Sequence, residues 1–268
     1  MNMKKTMIAL AVVSGAFISG SGNVMASDWT PDGTGGSVEL GGTLTPVAKV
    51  TPWSVEVGNV VSDLDAQVRK GQKLASIPVK KSILFLGIAP NAGAFRGQKG
   101  INPQIDYNGF VDIDGFDNGV TKVKLPVKDK EQKNIGYMEA DFMAAALMQW
   151  AYAPNRSIVR YSVYSGEPGQ AFHGGVAKNS NGVLAGRSVE AFLNGLDPLI
   201  TKGIWTNTHW KDADTASFDK DGDEWRYQGY YGSGIVEGST MRISLDTAIG
   251  SDEPFEWHAT MPISVTYQ

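Results

Sequence analysis

From Trp257 to Tyr267 every second residue is apolar: Trp257, Ala259, Met261, Ile263, Val265 and Tyr267 fall on one face of an extended strand, and Gln268 follows at once. A chain end patterned this way is expected to be tied into a core rather than left loose. A second pattern of the same kind lies near the start. Between Ser37 and Leu44, Val38, Leu40 and Leu44 share one face, and Gly42 leaves a gap in the row. Further upstream, Lys4 and Lys5 precede an apolar stretch from Met7 to Ile18, and Val24-Met25-Ala26 offers the small and apolar residues a signal peptidase accepts. These features divide the chain into a secretion signal over 1–26, an N-terminal extension over 27–45 and a folded domain over 46–268.

The sequence has no cysteine, which removes disulfides, thiolate catalysis and Cys-ligated zinc. Its formal net charge is −4. The longest basic cluster, Lys122 to Lys133, is interleaved with Asp129 and Glu131 and reads as a solvated strand face, so nucleic acid is not an expected partner. Beyond Ile18 no apolar run reaches the ~20 residues of a membrane helix. Glycine, at 32 of 268 residues, is spread through turns without a collagen-like period, as the tight corners of an all-β chain require.

Strand signals dominate the domain. Val47 to Val61, with Val50, Trp53, Val55, Val57 and Val60, is mostly strand-like, and Ile83 to Ile88 is a dense run suited to burial on both sides. Ile101–Ile105 and Phe110–Ile113 flank Asn108-Gly109, which predicts a hairpin with Pro103 holding the first arm near an edge. Val123, Leu125 and Val127 alternate with Lys122, Lys124 and Pro126, one face for the core and one for water. Met138 to Trp150 is ambiguous: its alanines favour a helix, yet Tyr137, Glu139 and Asp141 alternate with Met138, Ala140 and Phe142 as in a strand. Ser188 is placed as the N-cap of a short helix through Leu196 that ends near Gly195 and Pro198. The whole predicts an all-β sandwich interrupted at about 138–228 by an inserted region carrying short helices.

A sandwich short of one strand exposes unpaired backbone groups and apolar sockets, and an extended segment of another molecule can fill both by strand addition. Val38, Leu40, Gly42 and Leu44 have the required spacing. The same pattern suits an ordinary first strand inserted in its own domain, and spacing alone leaves both open.

Asp28-Trp29-Thr30, Gly36 to Leu44, Tyr231-Gly232-Ser233-Gly234-Ile235, Gly238-Ser239-Thr240 and the ending Trp257 to Tyr267 resemble the major subunits of kappa-class chaperone–usher fimbriae of enterobacteria. The resemblance implies an incomplete immunoglobulin-like sandwich completed by donor-strand exchange between subunits. It implies a periplasmic chaperone, an outer-membrane usher and neighbouring copies of the chain as partners, in a fimbrium on the cell surface. Carried onto this sequence, Val38, Leu40, Gly42 and Leu44 become the donor strand. Met261, Ile263, Val265, Tyr267 and Gln268 become the groove strand, with the Gln268 carboxylate held by basic residues of the chaperone.

Members of this family bind a host glycoprotein or glycolipid mainly through inserted elements. Sugar recognition needs aromatic faces bordered by carboxylate and guanidinium groups, types supplied here by Trp150, Arg156, Arg187, Trp205, His209, Trp210 and Asp212. A minor subunit without receptor binding is the alternative. A secreted glycan-active enzyme is a third reading, drawn from the paired carboxylates Glu139/Asp141 and Asp212/Asp214; it lacks a nucleophile elbow or zinc spacing, and no cofactor is expected. Asp219 to Asp223 has a calcium-loop flavour, but glycine stands at position four rather than six and Tyr230 at position twelve, so it reads as a charged turn.

Overall fold

A computed structural model describes residues 41–43, 50–155, 157–206 and 208–268. The secretion signal, Val38, Leu40, Leu44 and Arg156 lie outside the described residues. The chain divides into Met1–Ala48 and Lys49–Gln268, and the second unit carries every described strand and helix. The strands are β1 (Trp53–Val57), β2 (Leu74–Pro78), β3 (Ile83–Pro90), β4 (Pro103–Asp106), β5 (Val120–Lys128), β6 (Asn134–Tyr152), β7 (Ser157–Ser162), β8 (His209–Trp210), β9 (Trp225–Ile235), β10 (Thr240–Leu245), β11 (His258–Ala259) and β12 (Ser264–Tyr267), with one α-helix, α1 (Ser188–Leu196).

β6 is the spine. Its first half pairs with β5 on one edge and β10 on the other, and its second half pairs with β7 and β9. β3 adds to β9, β1 to β3 and β2 to β10, all antiparallel. Among the described strand pairs, only β7 and β8 run parallel. β4 and β12 make a separate two-stranded sheet, and β11 pairs with β5. The described residues are therefore mostly β, in two sheets, with one inserted α-helix.

The ambiguous stretch Met138–Trp150 belongs to β6. Up to Met143 it mostly alternates buried and outward residues, whereas Ala144 to Met148 is buried on both faces. Ala144, Ala146 and Met148 enter the main core, while Ala145 and Leu147 meet α1 in a second one. Small side chains let the helix approach the sheet closely, and ladder hydrogen bonds on both edges override the alanine preference for helix. Gly232 on β9 serves the same approach, since a Cβ there would stand 2.7 Å from Leu193 Cδ2.

Several expectations shift in detail. The region expected as an insertion, about 138–228, takes in most of β6, all of β7 and the start of β9; between β7 and β9 the chain adds only the two-residue β8 to the sheet, and α1 is the one α-helix among the described residues there. Ser188 is the first helical residue rather than its cap; Arg187 occupies that place with an αR backbone and makes no side-chain cap bond. The Asn108-Gly109 turn forms, with φ of 53° and 75°. Its arms do not ladder with each other, because β4 pairs with β12 and the second arm bridges β5 at Val111 and Val123. The terminal strand is split into β11 and β12 because it changes partner on the way, from β5 to β4.

Candidate functional site: an open cleft beside the terminal strand

Where β1 ends, the chain parts from β3. Gly58 N–H donates to Phe85 O at 3.1 Å, and a Cβ on Gly58 would sit 1.7 Å from Leu84 O, so only glycine can make this crossing. Among the described residues, the lip that follows, from Asn59 to Arg69, belongs to no strand. Across from it stands the segment from Pro254 to Ile263. Between them opens a cleft of about 970 Å³ whose apolar lining includes Ile83, Leu84, Phe85, Leu125, Met138, Ile235 and Met241.

The cleft is incompletely covered core. Trp53 starts β1 at 7 % exposure, but Val55 and Val57, on the same face, rise to 41 % and 59 %. On the opposite wall stand Trp257, Ala259, Met261 and Ile263, and Val265 and Tyr267 continue their row; from Ala259 on the row alternates with exposed residues as the sequence predicts, yet all six stay only half-buried. Exposed apolar area costs roughly 25 cal/mol per Å², so this strip favours a covering element. Asp65, Lys130, Glu256 and His258 add polar groups to the lining. The Nε2 atom of His258 is buried and, among the described residues, has no hydrogen-bond partner. Two free lips and an apolar floor are what an added strand requires: backbone groups to pair with and sockets for alternate side chains.

Met261 and Ile263 line the cleft. Val265 and Tyr267 continue the same face in β12, in register with Ile105 and Pro103. Gln268 exchanges backbone hydrogen bonds with Asn102, at 3.0 and 3.1 Å. Of the expected donor residues, only Gly42 lies among the described residues, in the stretch 41–43 that has no regular structure.

Among the described residues, those expected to recognise glycans are spread over β6, β8 and the segments around α1 and Trp205. Trp150 is in register with Val159, and Val159 with His209. Their neighbours Gln149, Arg160 and Trp210 fall on the alternate face. Trp150 packs on Trp225 at 5.2 Å between ring centroids, while Arg187, whose charge is felt by Arg160, and Asp212 are both exposed. Trp205 and Trp210 meet around Arg160, which the sequence reading missed. Arg160 is 3 % exposed. Its Nε donates to Gln149 Oε1 at 2.9 Å, its Nη1 to Glu190 Oε2 at 2.5 Å and its Nη2 to Trp205 O, while its guanidinium lies over the Trp210 ring at 5.3 Å. Gln149 also donates to Gln228, which donates to Gly203 O at 3.0 Å. Burial holds the Arg160 pKa below its ordinary value against the opposing pull of Glu190. This network ties β6, β7, α1 and the 203–210 loop together. A lone arginine inside Ser157–Ser162 carries no sequence signal for it.

The chain matches, over residues 3–268, the model of the family described as "Fimbrial, major and minor subunit". It therefore belongs to that family and is a fimbrial subunit, a component of surface fibres rather than an enzyme. Among its relatives are the F41 fimbrial protein of Escherichia coli, 27 % identical over 99 % of this chain and the whole of that one, and the K88 fimbrial proteins AB and AC of Escherichia coli, each 25 % identical over the same shares.

Proposed function

We propose that this subunit polymerises by donor-strand complementation and that the resulting fibre adheres to host-cell glycans. The observation that carries the first part is the cleft: a strip of half-covered core between two free lips, in a chain whose Val38, Leu40, Gly42 and Leu44 carry a matching alternation. In this reading the sandwich is immunoglobulin-like and one strand short, and residues 27–45 of one copy fill the cleft of the next. A periplasmic chaperone covers the groove strand Met261 to Gln268 after export directed by residues 1–26, and an outer-membrane usher exchanges the chaperone for the neighbouring copy. Deleting Ser27 to Leu44 abolishes fibres while leaving capture by the chaperone intact. Long fibres from the deleted chain would remove the donor assignment.

Support for adhesion is compositional: Trp150, Trp205, His209 and Trp210 are partly or wholly accessible, beside Arg187 and Asp212. The tie of the Trp210 ring to Arg160 favours a packing role for that side chain and keeps the minor, non-adhesive subunit as the second reading. A glycan array probed with assembled fibres decides between them: binding supports the adhesin, and silence across a broad array supports the structural subunit.

A further inference from the structure

The wall of the cleft has a gap in its own support. β11 holds the terminal segment to β5 through His258 and Ala259, and β12 holds it to β4 from Ser264 onward. Among the described residues, Thr260 to Ile263 belongs to neither ladder, although Met261 and Ile263 are the apolar side chains that line the cleft from this stretch. Pro262 lies between them and has no N–H to donate. Its carbonyl has one donor: Asn108 Nδ2, at 3.0 Å.

Asn108 is placed for this by its turn. Its own N–H donates to Asp106 Oδ1 at 2.7 Å, at the residue where the β4 ladder ends, and the turn closes through Phe110 N–H to Tyr107 O at 3.1 Å. Phe110 O then accepts from Lys124 N–H of β5 at 2.9 Å. The turn thus spans the point where the terminal segment changes partner from β5 to β4. We infer that Asn108 is a positioning residue for strand docking: its side-chain amide donates to the Pro262 carbonyl, which neither ladder reaches, and fixes the backbone between the Met261 and Ile263 walls. The assignment rests on the strand-addition reading of the cleft.

Two substitutions separate this role from a need for Asn in the turn. Both glycine and aspartate tolerate the positive φ, glycine better than asparagine, so a turn requirement alone makes Asn108→Gly neutral or favourable and Asn108→Asp nearly neutral. A positioning role reverses this. Glycine removes the donor, and aspartate sets a carboxylate against the Pro262 carbonyl. The measurement is release of a fluorescent peptide spanning residues 37–47 from the full mature chain. Expected are release about two- to fivefold faster for Asn108→Gly, the range of one exposed hydrogen bond, and about tenfold for Asn108→Asp. Rates within about 1.5-fold of wild type for both variants overturn the inference. A Leu40→Asp peptide that fails on every chain keeps the docking reading separate. A wild-type chain that ignores the unmodified peptide overturns docking and, with it, the role of Asn108 in docking. Hydrogen exchange at Ile263 and Ser264 then reports on the pin itself, expected faster in Asn108→Asp; unchanged exchange removes it.

Discussion

Buried hydroxyls set the pH response of single residues. Tyr107 donates or accepts at 2.5 Å with Tyr231 and at 2.6 Å with Ser233, and Tyr231 also donates to Gly175 O at 3.0 Å. Burial, and for Tyr107 also the neighbouring Tyr231, pushes the pKa values of both well above the ordinary value of 10.0. The unfolded chain loses these protons near pH ~10 while the fold retains them. The resulting stability is fully present below pH ~10 and is lost as pH rises beyond it. Unfolding midpoints at pH 8 and pH ~11 should therefore differ, with a smaller drop in Tyr107→Phe; equal midpoints would contradict this. Arg160 gives a second residue-level outcome. Arg160→Ala takes the donors from Gln149 Oε1 and the Trp205 carbonyl, at a cost of about 2–4 kcal/mol, with the half-exposed Glu190 arm contributing the least. A loss below about 0.5 kcal/mol in chemical unfolding would show that the network is dispensable.

At the scale of elements, alternation was the most legible signal. Val123, Leu125 and Val127 are buried as their spacing predicts, and the terminal row of apolar residues keeps its face although its ladder is split. Patterning failed where tertiary packing takes over: β6 reads as helix or strand until its edges find β9 and β7, and Ser188 resembles a cap although the chain enters the helix through Arg187. The Arg160 network was invisible because its members come from β6, β7, β9, α1 and a loop. Glycines supply paired tests. Gly58→Ala forces a Cβ onto the Leu84 carbonyl and should cost about 2–4 kcal/mol, whereas Gly195→Ala in α1, with open space around it, should add about 0.5–1 kcal/mol. Melting curves of the two variants moving in the same direction would contradict the account of the lip.

For the whole molecule, the fold and its relatives meet at the cleft. A fimbrial subunit has to join its neighbours in the fibre, and in the strand-addition reading the half-covered core beside Met261 and Ile263 is where it does so. The claim is best tested on the secreted protein, run unboiled on denaturing gels beside a Leu40→Asp variant. The account predicts a ladder of heat-dissociable polymers for the wild type and monomers for the variant, because a carboxylate cannot enter an apolar socket. A ladder that persists in Leu40→Asp, or a wild type that runs only as monomer, would contradict it.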